Sequence, residues 1–125
     1  MSYAAKQGDI IRLDFDPQTG HEQAGRRPAL VISNNSFHRF TRKGAMVCPI
    51  TNKDKGIPIQ VNLDSKTVTT GVILCDQAKI LDLDKRNAEF IEQAPKEIVL
   101  KVIALINSFI EIETEDMDIW INNNG

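Results

Sequence analysis

The sequence predicts a mostly β protein, a small antiparallel β-barrel covered by one C-terminal amphipathic helix. Three observations predict this fold class. Short apolar or alternating segments recur over residues 9–83, turn-forming residues separate them, and one segment with helical periodicity follows at 95–110. Since 125 residues is the usual size of one domain, we expect five or six strands and this helix to share one core.

The first predicted element is a strand at residues 9–15, where apolar and polar residues alternate with a period of two. Residues 16–28 follow as a long connection, opened by Asp-Pro and closed by Gly25 and Pro28. Ordered connections of this length are often functional. The apolar run at 29–32 predicts a central strand, and Ser33 or Asn34 is placed to cap a short helix at 35–40.

A second group of strands is predicted at residues 45–50, 59–63, 71–75 and 78–83. Residues 51–58 contain Asn, Asp, Gly and two lysines, which predicts a second polar loop. Asp76 and Gln77 interrupt the last two apolar runs and indicate a bulge or a bend.

The helix near the C-terminus begins at Pro95, a residue suited to a first helical turn, and Glu97 lies where the helix dipole favours an anion. Apolar residues then recur at helical spacing, which predicts one face packed on the sheet. These residues are Ile98, Val99, Val102, Ile103, Leu105, Ile106, Phe109 and Ile110.

The composition, 42% hydrophobic and 26% charged, is typical of soluble globular proteins and excludes disordered, collagen-like and disulfide-rich classes. No apolar run reaches the ~18 residues of a membrane span, and residues 1–9 lack the apolar core of a signal peptide, so we expect a cytoplasmic protein. Cys48 and Cys75 lie inside apolar runs, which predicts buried thiols in a reducing compartment.

The formal net charge of -2 argues against a general nucleic-acid-binding protein, but the charge is unevenly distributed. Residues 1–60 contain 9 Lys and Arg against 5 Asp and Glu, whereas residues 61–125 contain 6 against 12. This asymmetry is compatible with a local anion-binding face on an acidic protein.

Two loops concentrate the polar groups, at residues 21–28 (His-Glu-Gln-Ala-Gly-Arg-Arg-Pro) and 49–56 (Pro-Ile-Thr-Asn-Lys-Asp-Lys-Gly). A carboxylate, guanidinium groups and a hydroxyl are what phosphodiester transfer needs, as a proton acceptor and as donors to the phosphate oxygens. We expect no metal and no other cofactor, because the chain lacks HxxxH, CxxC and clustered carboxylates at ligand spacing.

Four stretches of the sequence resemble the MazF/PemK family of toxin endoribonucleases from bacterial type II toxin-antitoxin modules. The most specific is at residues 20–33, where Glu-Gln-x-Gly-x-Arg-Pro is followed by an apolar strand and a serine. The others are Gly-Asp-Ile-Ile at 8–11 with Asp-Phe-Asp-Pro at 14–17, Cys-Pro-Ile-Thr at 48–51, and residues 71–79. We therefore expect a toxin domain at 1–110 and an acidic C-terminal tail at 111–125.

The resemblance implies a homodimeric, SH3-like barrel that cleaves single-stranded RNA at a short sequence without metal and is inhibited by a cognate antitoxin. It implies attack of the ribose 2'-OH on the adjacent phosphorus, which leaves a 2',3'-cyclic phosphate and a 5'-OH. The family's active-site positions carry over to Arg27 and Thr51, with Glu22 as a further candidate. DNA lacks the 2'-OH, so the nucleophile itself would select RNA.

Our working assignment is that Arg27 stabilises charge on the scissile phosphate and Thr51 donates to a non-bridging oxygen. Glu22 is the better general base because an arginine almost never gives up its proton, but the proton path stays open. Gln23 also fits a role in shaping the loop. The candidates for RNA binding are Arg26, Gln23, Asn52, Lys53, Lys55, Gln77 and Lys79.

Several alternatives remain at this point. Without the family resemblance, Arg27 would fit a surface cation that pairs with Glu22. Thr51 would fit a turn residue whose hydroxyl forms a hydrogen bond with its own backbone. A pair formed by His21 and His38 is the other known route to 2'-OH cleavage, and we rank it below the arginine site. The barrel is also compatible with a non-enzymatic gyrase poison of the CcdB type or a noncatalytic RNA-binding module.

The tail has two interpretations as well. Between Ile110 and Ile121 it alternates apolar residues with five acids, which indicates a short edge strand followed by a solvated end. The other hypothesis is that this segment packs near the basic loops and modulates access to them.

Overall fold

The structure, a computed structural model, describes residues 3–15, 25–53, 56, 58–113 and 122–123. These residues form seven strands, two α-helices and one short 3₁₀ helix. In chain order the elements are β1 (Asp9–Phe15), β2 (Gly25–Val31), α1 (Asn35–Thr41), β3 (Gly44–Thr51), β4 (Gln60–Asn62), β5 (Val72–Leu74), the 3₁₀ helix (Cys75–Gln77), β6 (Lys79–Asp82), β7 (Glu89–Gln93) and α2 (Lys96–Phe109).

The strands form one antiparallel sheet in the order β4-β5-β3-β2-β1-β7, with β6 also paired to β3. One edge of β3 pairs with β2, and the other pairs first with β6 and then with β5. The 3₁₀ helix lies between β5 and β6, where the sequence predicted a bulge or a bend. The predicted fold class, a small antiparallel β-barrel with a C-terminal helix, is confirmed.

The two faces of the sheet cover two apolar clusters, because successive residues of a strand project to opposite faces. The cluster beneath α2 contains Ile10, Leu30, Cys48, Ile50, Ile73, Ile98, Val99 and Val102. The cluster on the other face, which we call the inner cluster, contains Ile11, Leu13, Phe15, Ala29, Val31, Ala45, Val47 and Leu83.

Helix α2 packs on the sheet as its periodicity predicts. Ile98, Val99 and Val102 are buried against the sheet, and the next apolar residues are half-buried. The end of the predicted stripe is different, since Ile110 is 74% exposed. None of the helices in the described ranges is long and apolar enough to cross a membrane.

Strand β2 begins four residues earlier than the sequence predicted. Residues 25–28 were expected to belong to the long loop because of Gly25 and Pro28, but they pair with residues 12–15 of β1. The pairing of β2 with β3 starts only at Ala29. Pro28, which has no backbone N–H, therefore does not have to donate a hydrogen bond to β3. The partner strand therefore overrides the local turn propensity.

Strand β7 is an element that the sequence analysis missed. Three of the five residues in its sequence, Glu-Phe-Ile-Glu-Gln, are charged or polar, and the sequence lacks clean alternation. It is an edge strand beside β1. The register between the two strands shifts between Ile10 and Ile11 of β1. A short edge strand with a bulge has a weak periodic signal, which explains the omission.

Of the two predicted caps, Asn34 caps α1 by accepting from the backbone N–H of Phe37 at 3.0 Å. Residues 111–113 follow α2 without regular structure. Residues 114–121 and 124–125 lie outside the described residues, so the two hypotheses about the tail stay predictions.

Candidate active site

Arg27 and Thr51 project from the same face of two neighbouring strands. β2 and β3 pair antiparallel through Ala29 with Pro49, Leu30 with Cys48 and Val31 with Val47. Arg27 lies two residues before Ala29, and Thr51 lies two residues after Pro49. Because side chains two apart in a strand share a face, Arg27 and Thr51 both lie on the face of the inner cluster, and the register, continued by two residues beyond its last pair, sets them opposite each other.

Thr51 is the last residue of β3 and is only 8% exposed. Its Oγ1 accepts a hydrogen bond from the backbone N–H of Lys53 at 3.1 Å. The predicted turn interaction is therefore present, but it uses the hydroxyl as an acceptor. Within the described ranges the Thr51 O–H proton has no acceptor, so it can donate to a ligand oxygen.

Arg27 is half-buried in β2 and lies opposite Leu13 of β1. Buried neighbours on its face, Leu13 and Ala29, hold the strand from which the guanidinium projects. A guanidinium on a rigid strand is a pre-organised donor set for phosphate oxygens. Arg27 and Thr51 together can thus supply a fixed positive charge and a neutral donor to one phosphate.

Lys79 adds a second cation to the same face. It is the first residue of β6 and pairs with Val47, a member of the inner cluster. Its Nζ lies 5.7 Å from the centroid of the Phe15 ring, a cation–π distance. Phe15 is buried, so this contact orients the lysine at the margin of the inner cluster.

Arg26 lies on the opposite face from Arg27, because the two are consecutive in β2. Its guanidinium is held between Asp14 at 3.1 Å and Glu89 at 2.8 Å. Asp14 also accepts from the side-chain amide of Asn87, and these bonds from Asn87 and Arg26 lower the pKa of Asp14. The structure therefore does not bring Arg26 together with Arg27 and Thr51.

The remaining predicted residues are in different settings. Asn52 and Lys53 follow Thr51 directly and are exposed. Gln77, predicted to reach a base edge, is 7% exposed in the 3₁₀ helix. Glu22, Gln23 and Lys55 lie outside the described residues.

The histidine pair can be assessed only for His38, since His21 also lies outside the described residues. The Nε2 atom of His38 is 2.7 Å from Oγ of Ser33, just beyond the C-terminal end of β2. Arg27 lies near the N-terminal end, so six residues of extended chain, roughly 20 Å, separate it from Ser33. His38 is therefore part of the α1 packing and not of the Arg27–Thr51 face.

The cysteine thiols are also unsuited to catalysis. Burial raises the pKa of the Cys48 thiol far above its ordinary value and that of the Cys75 thiol to about 11. Both remain thiols near neutral pH, and thiols are poor nucleophiles compared with thiolates. In the described part of the chain, no three His, Cys, Asp or Glu side chains cluster as a metal site would require.

The sequence analysis missed the residues that support Thr51 from the loop between β4 and β5. Thr70 donates from its hydroxyl to Oδ1 of Asn52 at 2.8 Å. Gly71 follows with φ +119 and lies against the backbone of Thr51. The available signal was the glycine at the start of a predicted strand, which indicates a close backbone approach or a positive φ.

Comparisons with known proteins agree with this architecture. The model of the family described as PemK-like, MazF-like toxin of type II toxin-antitoxin system matches residues 6–110. The chain is 33% identical over 109 residues to the endoribonuclease PemK of Escherichia coli, covering 84% of this chain and 81% of that protein. It is 41% identical over 87 residues to the endoribonuclease toxin MazF of Escherichia coli strain K12, covering 69% and 76%.

Solved structures of MazF proteins are also similar to this chain. MazF from Deinococcus radiodurans aligns with a TM-score of 0.81 and 36% identity, covering 89% of this chain and 100% of that chain. A MazE-MazF structure from the same organism aligns with a TM-score of 0.77 and 36% identity, covering 90% and 100%.

Proposed function

The chain belongs to the PemK-like, MazF-like toxin family of type II toxin-antitoxin systems, and from this premise we propose how its site cleaves RNA. It is an endoribonuclease toxin. The proposal concerns the chemistry and the residues: metal-independent cleavage of single-stranded RNA at a short sequence, with Arg27 and Thr51 at the scissile phosphate. The observation that supports it is the pairing of Ala29 with Pro49, which, continued by two residues along each strand, sets Arg27 and Thr51 on one face.

In the proposed reaction the ribose 2'-OH attacks the adjacent phosphorus. A bond forms between the 2' oxygen and phosphorus, the bond between phosphorus and the 5' oxygen breaks, and the products carry a 2',3'-cyclic phosphate and a 5'-OH. Arg27 binds the non-bridging oxygens and stabilises the charge that develops on them, and Thr51 donates its O–H proton to one of them. Both contacts strengthen as the phosphorus becomes five-coordinate.

A base must accept the proton of the 2'-OH, and an acid must return a proton to the departing 5' oxygen. We assign the base to Glu22, because a carboxylate can accept a proton near neutral pH and a guanidinium cannot.

The RNA strand is proposed to run across the Arg27–Thr51 face, with Lys79, Lys53 and Lys55 contacting neighbouring phosphates. Lys79 supports this path best, because its register with Val47 places it on that face. Asn52 follows Thr51 and is exposed, so it suits a contact with a base edge. Gln23 completes the proposed RNA-binding set. Arg26, held on the opposite face by Asp14 and Glu89, and Gln77, buried in the 3₁₀ helix, are not part of the proposed path.

A cognate antitoxin is the protein partner of this toxin, as MazE is in the Deinococcus structures. We propose that the toxin is a homodimer and acts in the cytoplasm. Its two cysteines, Cys48 and Cys75, are free and buried, which fits a reducing compartment. We also propose that residues 111–125 are a tail outside the catalytic domain, since the family match ends at residue 110.

The test is cleavage of a long single-stranded RNA in EDTA by the purified, antitoxin-free chain, beside Arg27→Ala. We expect discrete fragments that end in 2',3'-cyclic phosphate with the wild type and intact RNA with the variant. Intact RNA from a folded wild-type sample would contradict the proposal. It would favour a noncatalytic RNA-binding module or a gyrase poison of the CcdB type.

A further inference from the structure

The loop between β4 and β5, residues 64–71, is built by hydrogen bonds within itself; we call it the support loop. The hydroxyl of Thr67 donates to the carbonyl of Thr69 at 2.7 Å, and Asp64 accepts from the backbone N–H of Lys66 at 2.9 Å. The loop closes where the backbone N–H of Leu63 donates to the carbonyl of Gly71 at 3.0 Å. These bonds give the loop a defined shape but do not fix its position on the sheet.

Glu92 of β7 fixes that position. Its carboxylate accepts three hydrogen bonds from the support loop, from the backbone N–H of Val68 at 3.0 Å and from the backbone N–H and the hydroxyl of Thr69, both at 2.7 Å. Burial alone would raise the pKa of Glu92, but the bonds from Thr69 and Val68 lower it below its ordinary value. The carboxylate is therefore ionised near neutral pH, and hydrogen bonds to an ionised acceptor are the stronger kind.

The other end of the support loop contacts the Thr51 side of the active site. Thr70 donates to Asn52, the neighbour of Thr51, and Gly71 packs directly on the Thr51 backbone. The next residue, Val72, pairs with Thr51 between β5 and β3. Residues 68–69 are thus connected to Thr51 through residues 70–72.

Glu92 does not face the proposed substrate. It lies opposite Ile10 in the pairing of β1 with β7, and Ile10 projects into the cluster beneath α2. Arg27 and Thr51 project from the other face. The hydrogen bonds of Glu92 therefore reach the Thr51 side of the site through the support loop.

We propose that Glu92 is a positioning residue for RNA cleavage, which holds the support loop so that the Thr51 hydroxyl meets the scissile phosphate. The inference rests on the proposed role of Thr51. A displacement of a donor by an ångström is enough to lower a rate about 100-fold. Loss of the Glu92 hydrogen bonds should therefore lower kcat without weakening the binding of RNA by the arginine and lysine side chains.

The kinetic experiment compares Glu92→Gln with Glu97→Gln on one RNA substrate. Glu97 is the matched control, because its exposed carboxylate pairs with Lys66 of the same loop but not with residues 68–69. We expect Glu92→Gln to lower kcat about 10- to 100-fold with KM within about twofold, and Glu97→Gln to leave both within about twofold. An unchanged kcat in folded Glu92→Gln would overturn the proposal.

A double variant separates positioning from general destabilisation. If Glu92 acts through Thr51, Glu92→Gln should not slow Thr51→Ala any further, because residues that act as a unit are not additive. A full additional loss of kcat in Thr51→Ala/Glu92→Gln would overturn the positioning role. Thermal unfolding of each variant checks that it is folded at the assay temperature.

Amide hydrogen exchange tests the same role without catalysis. The Lys53 N–H bonds to Oγ1 of Thr51, so its exchange rate reports the position of that hydroxyl. We expect Glu92→Gln to speed exchange at Lys53 and Thr69 about 10-fold or more and Glu97→Gln to leave it unchanged. Unchanged exchange at Lys53 would overturn the inference, whereas intact RNA with the wild type would instead overturn the proposed function.

Discussion

Gly71 lies so close to Thr51 that no side chain fits between them. A Cβ on Gly71 would be 2.4 Å from the carbonyl oxygen of Thr51 and 2.9 Å from its carbonyl carbon. Both atoms belong to the backbone and cannot move aside as a flexible side chain would. The position of the Thr51 hydroxyl therefore depends on a residue 20 positions away that has no functional group.

Gly71→Ala should impair both folding and cleavage. The φ of +119 is strained for any L side chain, and the clash with Thr51 adds to that strain. We expect a loss of about 2–4 kcal/mol in the free energy of unfolding and a cleavage rate reduced at least 10-fold. Urea unfolding and RNA cleavage measured on the same preparation check both effects.

Gly56→Ala is the control for this change. Gly56 also has a positive φ, +63, but a Cβ there would meet none of the described residues within 4 Å. It should lose only about 1–2 kcal/mol, the backbone cost of the left-handed conformation. Equal losses in the two variants would contradict the importance of the contact with Thr51.

Arg27→Ala should lower kcat by about 100- to 1,000-fold, the usual effect of removing one donor that stabilises developing charge. Arg27→Lys should recover only part of the rate, because an ammonium keeps the charge but loses the planar, bidentate donor geometry. Single-turnover cleavage assays with saturating enzyme measure the effect directly.

Arg39→Ala serves as the comparison, since Arg39 is an exposed cation on α1, beyond the opposite end of β2 from Arg27. Its rate should stay within about twofold of the wild type. Arg27→Ala cleaving as fast as Arg39→Ala would show that the charge at position 27 is not part of the site.

The affinity for RNA should fall steeply with salt. If about four phosphates are neutralised, the slope of log affinity against log salt should be near -3, from about 0.7 per phosphate for a single strand. Fluorescence anisotropy with the Thr51→Ala variant and a short RNA measures this slope without cleavage.

Lys79→Gln should reduce the magnitude of that slope by about 0.7, because one phosphate contact is lost. A salt-independent affinity, or the full slope retained in Lys79→Gln, would contradict the proposed path of the strand.

Stability should decline in acid through Glu92 and Asp14. Both carboxyl groups have a folded pKa below the ordinary value, 4.5 for Glu and 3.8 for Asp. A lowered pKa in the folded state means stability that is fully present above the ordinary value and lost as the pH falls through the folded pKa. Chemical unfolding at pH 7 and at steps below pH 5 should show this decline.

Glu92→Gln removes one of the two carboxyl groups whose folded pKa is lowered. The free energy of unfolding of this variant should therefore depend less on pH over that range. The same variant should already be less stable than the wild type at pH 7, where the lost carboxylate was ionised. A wild type and a Glu92→Gln variant with parallel acid profiles would show that the carboxylate does not hold the support loop.

Local patterns in the sequence were sufficient for several elements. The alternation over residues 9–15 predicted β1 with its observed bounds, and the helical spacing after Pro95 predicted α2. Arg27 and Thr51 were identified through motifs confined to short stretches. In each case the signal lies within the element itself, so no knowledge of its neighbours was needed.

The sequence was less informative where a neighbour decides the structure. Residues 25–28 contain turn formers and were assigned to a loop, yet pairing with β1 makes them a strand. That pairing also separates Arg26 from Arg27, because consecutive residues of a strand face opposite sides. A loop assignment could not distinguish the arginine held by Asp14 and Glu89 from the one opposite Thr51.

The fold class, the family and the two residues at the centre of the proposed site follow from the residues alone, because periodicity and motifs are local properties. The register of β2 on β3, the place of β7 and the contacts of Gly71 and Glu92 around Thr51 are visible only in the assembled fold. These depend on pairings between distant positions, such as Glu92 with Thr69, 23 residues apart. Such contacts form only when the whole sheet is assembled, and no single segment carries their signal.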